Sequence, residues 1–281
     1  MERAGHGPGI SVYMITFNNE RTVEQALRSV TWADEIVVVD SFSTDRTVEI
    51  CRKYTDKVFQ RRWPGYRDQY QFAADQTTHE WLLFVDADEE VPPELAEEIR
   101  GETGTTGGGA DGYIAYRRTF YLGRWIRYGG WTPDCEIRLT RRNRGRWEGG
   151  LHAKIAVEGP VASLKSHYLH YTYRDISDQI QTVDRYSRTA AGDMFREGRR
   201  FSLWKLLFHP LFRFFKEYLF KRGFRDGLPG LIIVVTTMYY VFIKYAKLWE
   251  LHHGRVEPQE KDGVLKTKNE GMRDEDRKLT G

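Results

Sequence analysis

Cysteine is scarce in this sequence. The 281 residues include only Cys51 and Cys135, and the residues around them resemble neither a zinc knuckle nor a redox pair. A framework of disulfides is therefore not expected. We predict that the protein folds in a reducing compartment.

An export signal and a long apolar run are lacking as well. The opening residues, MERAGHGPG, contain no apolar stretch of the kind found in a signal peptide, so we do not expect export. Residues 228–243 are nearly uncharged, but this run is shorter than the ~20 apolar residues of a spanning helix, and Thr236 and Thr237 dilute it. We predict that the segment lies on a membrane surface or packs against protein.

A strong excess of charge is absent too. The formal net charge is +3 at pH 7, and the basic residues cluster beside apolar segments near the C-terminus rather than along an aromatic groove. We therefore expect no nucleic-acid partner. Hydrophobic residues make up 40% of the chain and aromatic residues 14%, which is enough apolar material for a substantial core.

Apolar strands alternate with helical patterns in the first part of the chain. The predicted strands cover residues 10–16, 35–40, 57–60 and 81–85, and the predicted helices cover 21–30, a segment through 48–51, and 69–77. Such alternation predicts an α/β fold with a mainly parallel sheet flanked by helices. Ser43 or Thr44 is the candidate N-cap of the second helix.

The pattern changes after residue 92. Prolines 92 and 93 can open a helix over 94–100, and the glycine-rich stretch 101–109 is predicted to be a loop without a phosphate-binding motif. Further strands are predicted at 112–120, 136–140 and 152–157, and helices follow from 176 to 252. We therefore predict an α/β domain over 8–175, a helical region over 176–253 and a charged, disordered tail over 254–281.

Acidic residues stand at the carboxyl ends of two predicted strands. Asp40 ends one strand and Asp86 follows another, so both should face the crevice in which open parallel sheets bind ligands. Asp86 and Asp88 are two apart in an extended segment, so their carboxylates point the same way and can share one Mg²⁺ or Mn²⁺ ion. The alternative is a strand that runs into an acidic helix N-terminus, where Glu89 and Glu90 suit the helix dipole.

Three motifs occur in order, each at the end of a predicted strand: ITFNNE, VVVDSFSTD and LFVDADEE. Together they resemble the family 2 glycosyltransferases over residues 10–99, and more loosely to residue 158. Within that family the chain is similar to the bacterial lipopolysaccharide-core glucosyltransferase branch, as is its run FFKEYLFKRGFRDGLPGLIIVVTTMYYVFIKYAKLWE. The resemblance implies a GT-A nucleotide-diphospho-sugar transferase fold, with a mainly parallel sheet flanked by helices and a C-terminal helical extension.

The resemblance also assigns donor-binding roles. Thr16, Phe17 and Glu20 would hold the nucleoside, with Phe17 against the base, and Asp40 would hydrogen-bond to uracil or ribose. Gln71 stands where the family places a residue near the sugar diphosphate. The alternative for the first three residues is that they form a turn and pack in the core.

Inverting transfer requires a carboxylate that deprotonates the acceptor hydroxyl, while a metal and cationic groups stabilise the departing diphosphate. By resemblance, Asp134 is the first candidate for this base and Glu136 is the second. Arg138 is a candidate for a diphosphate contact, because guanidinium geometry suits phosphate oxygens. The alternatives are that Asp134 caps a turn after Pro133 and that Arg138 forms a surface ion pair.

Histidine supplies one further candidate. His152 looks like the histidine that often adds a metal or diphosphate contact in this fold, and with Asp86 and Asp88 it completes the predicted metal ligands. A structural role before a strand is the alternative. His167 and His170 are predicted to be packing residues.

The region after residue 200 combines apolar and basic side chains. The apolar residues lie close to one helical face and the basic residues lie nearby, which is the composition of an interfacial helix. The alternatives are that these helices cover the sheet or pair across a dimer. We favour peripheral membrane contact, because basic and aromatic residues occur together here and the resemblance implies an acceptor that is linked to lipid. The apolar face comprises Leu203, Leu206, Leu207, Leu211, Phe214, Phe215, Tyr218 and Leu219.

By this resemblance we expect a metal-dependent, inverting glycosyltransferase that is cytoplasmic and peripheral on the inner face of the cytoplasmic membrane. The expected donor is a UDP-sugar, with UDP-glucose first, and the expected acceptor is a saccharide or glycolipid of the lipopolysaccharide core or another envelope glycan. Transfer to a polyprenyl phosphate is the second hypothesis. A non-catalytic nucleotide-sugar-binding protein is the third. The sequence leaves open whether the chain forms a homo-oligomer.

Overall fold

The computed structural model describes residues 8–104, 109–149 and 153–254. The chain divides into two compact units, and the first takes the described residues up to Arg118 together with Asp134–Tyr171. The second takes Thr119–Pro133 and the described residues from Thr172 onward. The predicted disordered tail lies outside the described residues, apart from its first residue, Gly254.

Four parallel strands form one half of the main sheet of the first unit. They are β1 (Ile10–Thr16), β2 (Glu35–Asp40), β3 (Val58–Gln60) and β4 (Trp81–Phe84), and they lie in the order β3-β2-β1-β4. Every residue of β1, β2 and β4 is buried. Continuous apolar, β-branched runs suit strands that are covered on both faces, so the four strands predicted from the sequence are confirmed.

The helices of the first unit connect these strands and then leave the last of them. They are α1 (Val23–Ser29), α2 (Thr47–Cys51), α3 (Tyr66–Asp75) and α4 (Pro93–Gly104). Helix α4 continues to Gly104, so the first part of the glycine-rich stretch is helical rather than a loop. Residues 105–108 of that stretch lie outside the described residues.

Helix α2 begins later than its predicted caps would allow. Its N-cap position is Arg46, so the prediction of Ser43 or Thr44 as the cap is wrong. The backbone N–H of Ser43 donates to the Asp40 carboxylate at 2.8 Å, and the N–H of Thr44 donates to the Asn18 side chain at 2.8 Å. Both residues are therefore used to shape the loop after β2.

The other half of the main sheet is antiparallel. Strand β8 (Asp134–Arg141) pairs antiparallel with β4 and with β6 (Gly112–Tyr121), and β11 (Val161–Tyr171) pairs antiparallel with β5 (Glu89–Glu90). The order continues from β4 as β8-β6-β11-β5. The sheet is thus mixed, and the predicted parallel pairing is found in the first half of the chain, where helices provide the crossovers.

Two short pairings complete the strands. The last residues of β6, which belong to the second unit, pair with β7 (Arg124–Trp125), while β9 (Gly145–Glu148) and β10 (Lys154–Val157) form an antiparallel ribbon in the first unit. The predicted strand at 152–157 is described from residue 153.

The first unit has an apolar core on each face of the sheet. Successive side chains of a strand point to opposite faces, so Val12 and Met14 join one cluster while Tyr13 and Ile15 join the other. Trp147 of the β9–β10 ribbon is buried in the second cluster. The sheet is therefore covered on both sides, and its strand ends are the parts left for ligands.

The second unit is mainly helical. Its helices are α5 (Ile176–Arg196), α6 (Leu203–Phe215) and α7 (Gly227–His252), with a π-helical turn over Lys216–Phe220 and a 3-10 turn over Gly223–Asp226. A β-carbon at Gly230 would lie 2.2 Å from the carbonyl oxygen of Gly223. Glycine is therefore required where α7 packs against the 3-10 turn.

Helix α7 is the longest and most apolar helix among the described residues, and it exceeds the predicted run of 228–243. The stretch Gly223–His252 is long and apolar enough to cross a membrane by length and composition, and 39% of its most apolar window is buried in the structure. Apolar residues of α7 pack with Ala191 of α5 in one cluster. Core helices of soluble proteins share this length and composition.

Candidate active site

The acidic motif follows directly from β4. Asp86 is 6% exposed and Asp88 is 3% exposed. The Asp86 carboxylate accepts from Tyr70 Oη at 3.3 Å and from Arg138 Nη1 at 3.3 Å. The motif is therefore a buried part of the first unit that α3 and β8 hold in place.

Glu89 joins two buried arginines to each other. Its Oε1 accepts from Arg138 Nη2 at 2.8 Å and from Arg117 Nη1 at 3.2 Å. Arg117 in turn donates to Asp134 Oδ2 from Nε at 2.8 Å and from Nη2 at 2.5 Å. A continuous chain of alternating charges therefore connects the acidic motif to Asp134.

Strand geometry explains why these side chains meet. Asp134 and Glu136 are two apart along β8, so they face the same side of the sheet. Arg138 lies at a register irregularity between β6 and β8, and its Nη2 is 3.7 Å from Glu136 Oε2. Arg117 lies directly opposite Asp134 in the ladder between β6 and β8, where side chains on one face are near enough to pair. The pattern D-x-E-x-R in one strand thus becomes a row of charges beside Asp86.

The arginines change the acid-base properties of this row. Burial alone would raise the pKa of Glu89, but the charges of Arg138 and Arg117 outweigh it and hold that pKa below its usual value. Burial would likewise lower the pKa of Arg138, but Glu89, Asp86 and Glu136 raise it further still. Glu89 and Arg138 are therefore both charged at neutral pH.

Asp88 lies outside this chain of hydrogen bonds. Both of its carboxylate oxygens are buried without a hydrogen-bond donor from the described residues, and His170 Nε2 lies 3.4 Å from Oδ2. The backbone N–H of Tyr171 donates to the Asp88 carbonyl at 3.0 Å, so β11 fixes the position of His170. A carboxylate suits Mg²⁺ or Mn²⁺, whereas an imidazole is a ligand of transition metals, so the pair favours Mn²⁺ over Mg²⁺.

The structure gives a different histidine from the predicted one a place beside the acidic motif. His170 was expected to be a packing residue, and it is buried, but its ring lies beside the Asp88 carboxylate. His152, the predicted metal ligand, lies outside the described residues. Among residues 8–104, 109–149 and 153–254, no cluster of three or more His, Cys, Asp or Glu side chains has the geometry of a metal site. Asp88 and His170 are thus the pair in this region that could share a cation with substrate oxygens.

The predicted nucleoside residues lie at the ends of β1 and β2. Thr16 and Asp40 are paired in the parallel ladder, and Thr16 Oγ1 donates to Asp40 Oδ1 at 3.0 Å. Asp40 also holds the loop after β2 through Ser43. In that loop, Phe42 is 50% exposed and has φ 61°, a left-handed conformation that a bulky residue adopts at a cost.

The loops after β1 and β2 are joined by reciprocal hydrogen bonds. The backbone N–H of Arg46 donates to Glu20 at 3.1 Å, and the N–H of Glu20 donates to Asp45 at 3.1 Å. Phe17 is half-buried and packs against the second core cluster, while its N–H donates to Asn19. The structure therefore brings Thr16 and Asp40 together, and it uses Glu20 and Phe17 at least in part to shape these loops.

Gln71 has structural partners in α3 and β9. Its Nε2 donates to Asp75 at 2.8 Å, and its Oε1 accepts from the Trp147 backbone N–H at 2.9 Å. The α3 side chain that reaches Asp86 is Tyr70, whose ring stacks on Trp147 with centroids 4.2 Å apart. Gln71 ties the helix to the ribbon, and Tyr70 is the residue that sequence reasoning missed.

Comparison with known proteins identifies the family of the chain. The model of the family described as Glycosyl transferase family 2 matches residues 11–153. The chain belongs to this family. The lipopolysaccharide core biosynthesis glycosyltransferase LpsC of Rhizobium meliloti is 30% identical to this glycosyltransferase over 268 residues, which cover 91% of this chain and 97% of LpsC. An uncharacterized glycosyltransferase of Rickettsia typhi is 30% identical over 261 residues, which cover 86% and 87% of the two chains.

Solved structures with a similar chain path are also known. TarS residues 1–349 of S. aureus has 17% sequence identity and a TM-score of 0.45, over 88% of this chain and 92% of that one. Glucosyl-3-phosphoglycerate synthase of Mycobacterium tuberculosis, in complex with Mn²⁺, UDP and glucosyl-3-phosphoglycerate, has 26% identity and a TM-score of 0.34, over 42% and 45% of the two chains. The glycosyltransferase has the GT-A fold predicted from its motifs, followed by a C-terminal helical region.

Proposed function

We propose that this glycosyltransferase is metal-dependent and inverting, and that it moves a sugar from a UDP-sugar to a saccharide acceptor of a cell-envelope glycan. The observation that carries the proposal is the buried chain of charges from Asp86 through Arg138, Glu89 and Arg117 to Asp134. It links the motif expected to hold the donor diphosphate to the carboxylate expected to act on the acceptor. A surface ion pair, the alternative for Arg138, does not fit a side chain that is 1% exposed.

The cation would be held by Asp88 and His170. Asp86, the other metal ligand predicted from the motif, bonds to Tyr70 and Arg138 in this structure and would have to turn toward Asp88 to join them. The Asp88 oxygens are buried and accept no hydrogen bond from the described residues. They fit a cation, because a buried carboxylate without such bonds is costly. When bound, a divalent cation neutralises the charge that develops on the departing diphosphate. Acidic groups also outnumber arginines at this edge of the sheet, which favours a cation there. The acidic groups are Asp86, Asp88, Glu89, Asp134 and Glu136, and the arginines are Arg117 and Arg138.

The reaction we propose is direct displacement at the anomeric carbon of the donor sugar. Asp134 takes the proton from the acceptor hydroxyl as that oxygen attacks, and Arg117 holds the Asp134 carboxylate in one orientation through Oδ2. Glu136 is the second candidate for the base, since it faces the same side of β8. Arg138 supplies positive charge toward the diphosphate, and no covalent enzyme intermediate is formed.

The donor side is formed by the ends of β1 and β2. We propose that Thr16, Phe17, Glu20 and Asp40 hold the nucleoside, because Thr16 and Asp40 are paired at the carboxyl edge of the parallel strands, where ligands bind in such sheets. Gln71 would act more remotely, by holding α3 against β9. UDP-glucose is the first donor to test.

The acceptor proposal rests on the relative of known role. LpsC is named for lipopolysaccharide core biosynthesis, and the two chains are similar along nearly their full lengths. We therefore propose a saccharide of the lipopolysaccharide core as the acceptor, used by an enzyme that is peripheral on the inner face of the cytoplasmic membrane. A polyprenyl phosphate is the second acceptor class, which product analysis separates from the first.

The test is nucleoside diphosphate release from a panel of nucleotide sugars by purified protein, with and without Mg²⁺ or Mn²⁺ and with core oligosaccharide or polyprenyl phosphate as acceptor. We expect metal-dependent release from UDP-glucose that Asp88→Asn abolishes. The matched control is Asp56→Asn, because Asp56 is an exposed aspartate of the same unit, and this variant should keep full activity. Release by Asp88→Asn at the wild-type rate would refute the proposed site.

A further inference from the structure

Helix α6 carries a wide apolar face that is exposed. Six large residues of this face are between 42% and 67% exposed, and they span about 140° of the helix circumference at ~100° per residue. Soluble proteins rarely leave so continuous an apolar stripe open to water, so the face marks an interaction surface. The six residues are Trp204, Leu207, Phe208, Leu211, Phe212 and Phe215.

The charges around this face are almost all positive. Residues 199–225 include eight lysines and arginines, and Glu217 is their only acidic residue. Glu217 is 1% exposed and lies 2.5 Å from Arg213, so it contributes little negative charge to the surface. Lys205 and Lys216 border the apolar face at helical spacing. The surface therefore complements an anionic partner, and a second copy of itself would bring like charges together.

The neighbouring helix α7 does not fit a membrane span, because polar bonds join it to α5. Lys247 Nζ donates to Asp184 Oδ1 at 2.6 Å and to Ser187 at 2.8 Å, and Gln179 Nε2 donates to Thr236 at 2.9 Å. Helix α5 carries charged residues along its length. A spanning α7 would have to break these bonds or take α5 into the hydrocarbon, and both are costly.

We propose that α6 is a docking surface for the headgroup region of an anionic phospholipid bilayer, lying in the plane of the membrane with its apolar face toward the acyl chains and its cations at the phosphates. The role of this surface, which is to bring the enzyme to an acceptor carried by the membrane, rests on the proposed function. The binding of α6 to the bilayer does not. Helix α7 then supports α6 from the protein side and does not cross.

The experiment is cosedimentation of the full chain with vesicles of phosphatidylcholine alone and with vesicles that also contain phosphatidylglycerol. We expect binding to the anionic vesicles, weakened by salt, and extraction of the bound protein by alkaline carbonate. Leu207→Glu should lower the vesicle partition coefficient by about tenfold or more, since it withdraws one leucine from the lipid and adds negative charge. The matched control is Ile176→Glu, an equally exposed apolar position on α5, which should bind like wild type. Both variants should keep wild-type turnover of a soluble, delipidated acceptor.

Three results would overturn the proposal. They are failure of the wild type to bind anionic vesicles, equal binding by Leu207→Glu and Ile176→Glu, and resistance of the bound protein to carbonate, which would indicate a span. A wild-type dimer that Leu207→Glu dissociates, without vesicle binding, would assign the face to a second copy instead. Vesicle binding by a protein that turns over no nucleotide sugar would contradict the proposed function and support the docking surface.

Discussion

Replacing Glu89 by glutamine removes the charge that joins Arg117 to Arg138. The side chain of Glu89 is 0% exposed, and both arginine side chains are at most 2% exposed, so solvent cannot take over the lost interaction. Glutamine keeps the shape and one acceptor oxygen, but it leaves two guanidinium groups buried beside each other. Removing one partner from a buried ion pair costs about 3–5 kcal/mol, and we expect a loss near the lower end, about 3 kcal/mol.

The assay is urea unfolding followed by circular dichroism, at neutral pH and with a chelator so that bound metal does not contribute. Glu90→Gln is the control, because it makes the same chemical change at the next residue. Glu90 is only partly buried, bonded to Gln25 and Tyr171, and a partly solvated interaction of this kind is worth at most about 1 kcal/mol. Equal losses in the two variants would refute the view that the buried chain of charges holds this edge of the sheet together.

Three further predictions concern single side chains. Tyr70→Phe keeps the ring on Trp147 but removes the bond to Asp86, so urea unfolding should show a loss of about 1 kcal/mol; no change would mean that water replaces the bond. His170→Gln should raise the Mn²⁺ concentration for half-maximal activity by about tenfold or more, with the Mg²⁺ or Mn²⁺ requirement itself retained; an unchanged titration would remove His170 from the site. Burial would raise the pKa of Glu35, but Lys57 and other hydrogen-bond donors lower it to about 2 from 4.5. The contribution of Glu35 to the free energy of unfolding is therefore complete above pH 4.5 and is lost as pH falls toward 2. Glu35→Gln should make the free energy of unfolding depend less on pH in this range than it does in the wild type.

The strands that could be predicted are those whose burial is visible as a continuous run of apolar residues in the sequence. Strands β1, β2 and β4 are covered on both faces, so nearly every residue is apolar and the run is visible without a partner. Strand β5 consists of two glutamates and exists because β11 pairs with it. In β11 itself the buried residues are interrupted by polar ones, and neither strand has a local pattern that predicts it.

The same difference separates the predicted site residues from the missed ones. Asp86 and Asp88 follow a recognisable strand, so their position at its end could be inferred from the sequence. Arg117 is 17 residues from Asp134 along the chain, and only the register of β6 against β8 brings them together. His170 reaches Asp88 through the pairing of β11 with β5. Contacts that depend on strand register cannot be read from local spacing.

The row of charges on β8 also limits which mutations the protein can tolerate in this strand. Successive residues of a strand face opposite sides, so inserting or deleting one residue between Asp134 and Glu136 would turn their two side chains to opposite sides of the sheet. Point substitutions at Cys135 or Ile137, whose side chains point the other way, leave the row in place. We therefore expect this segment to accept changes of residue type at alternate positions and to reject every frame-preserving insertion or deletion of a single codon between Asp134 and Glu136.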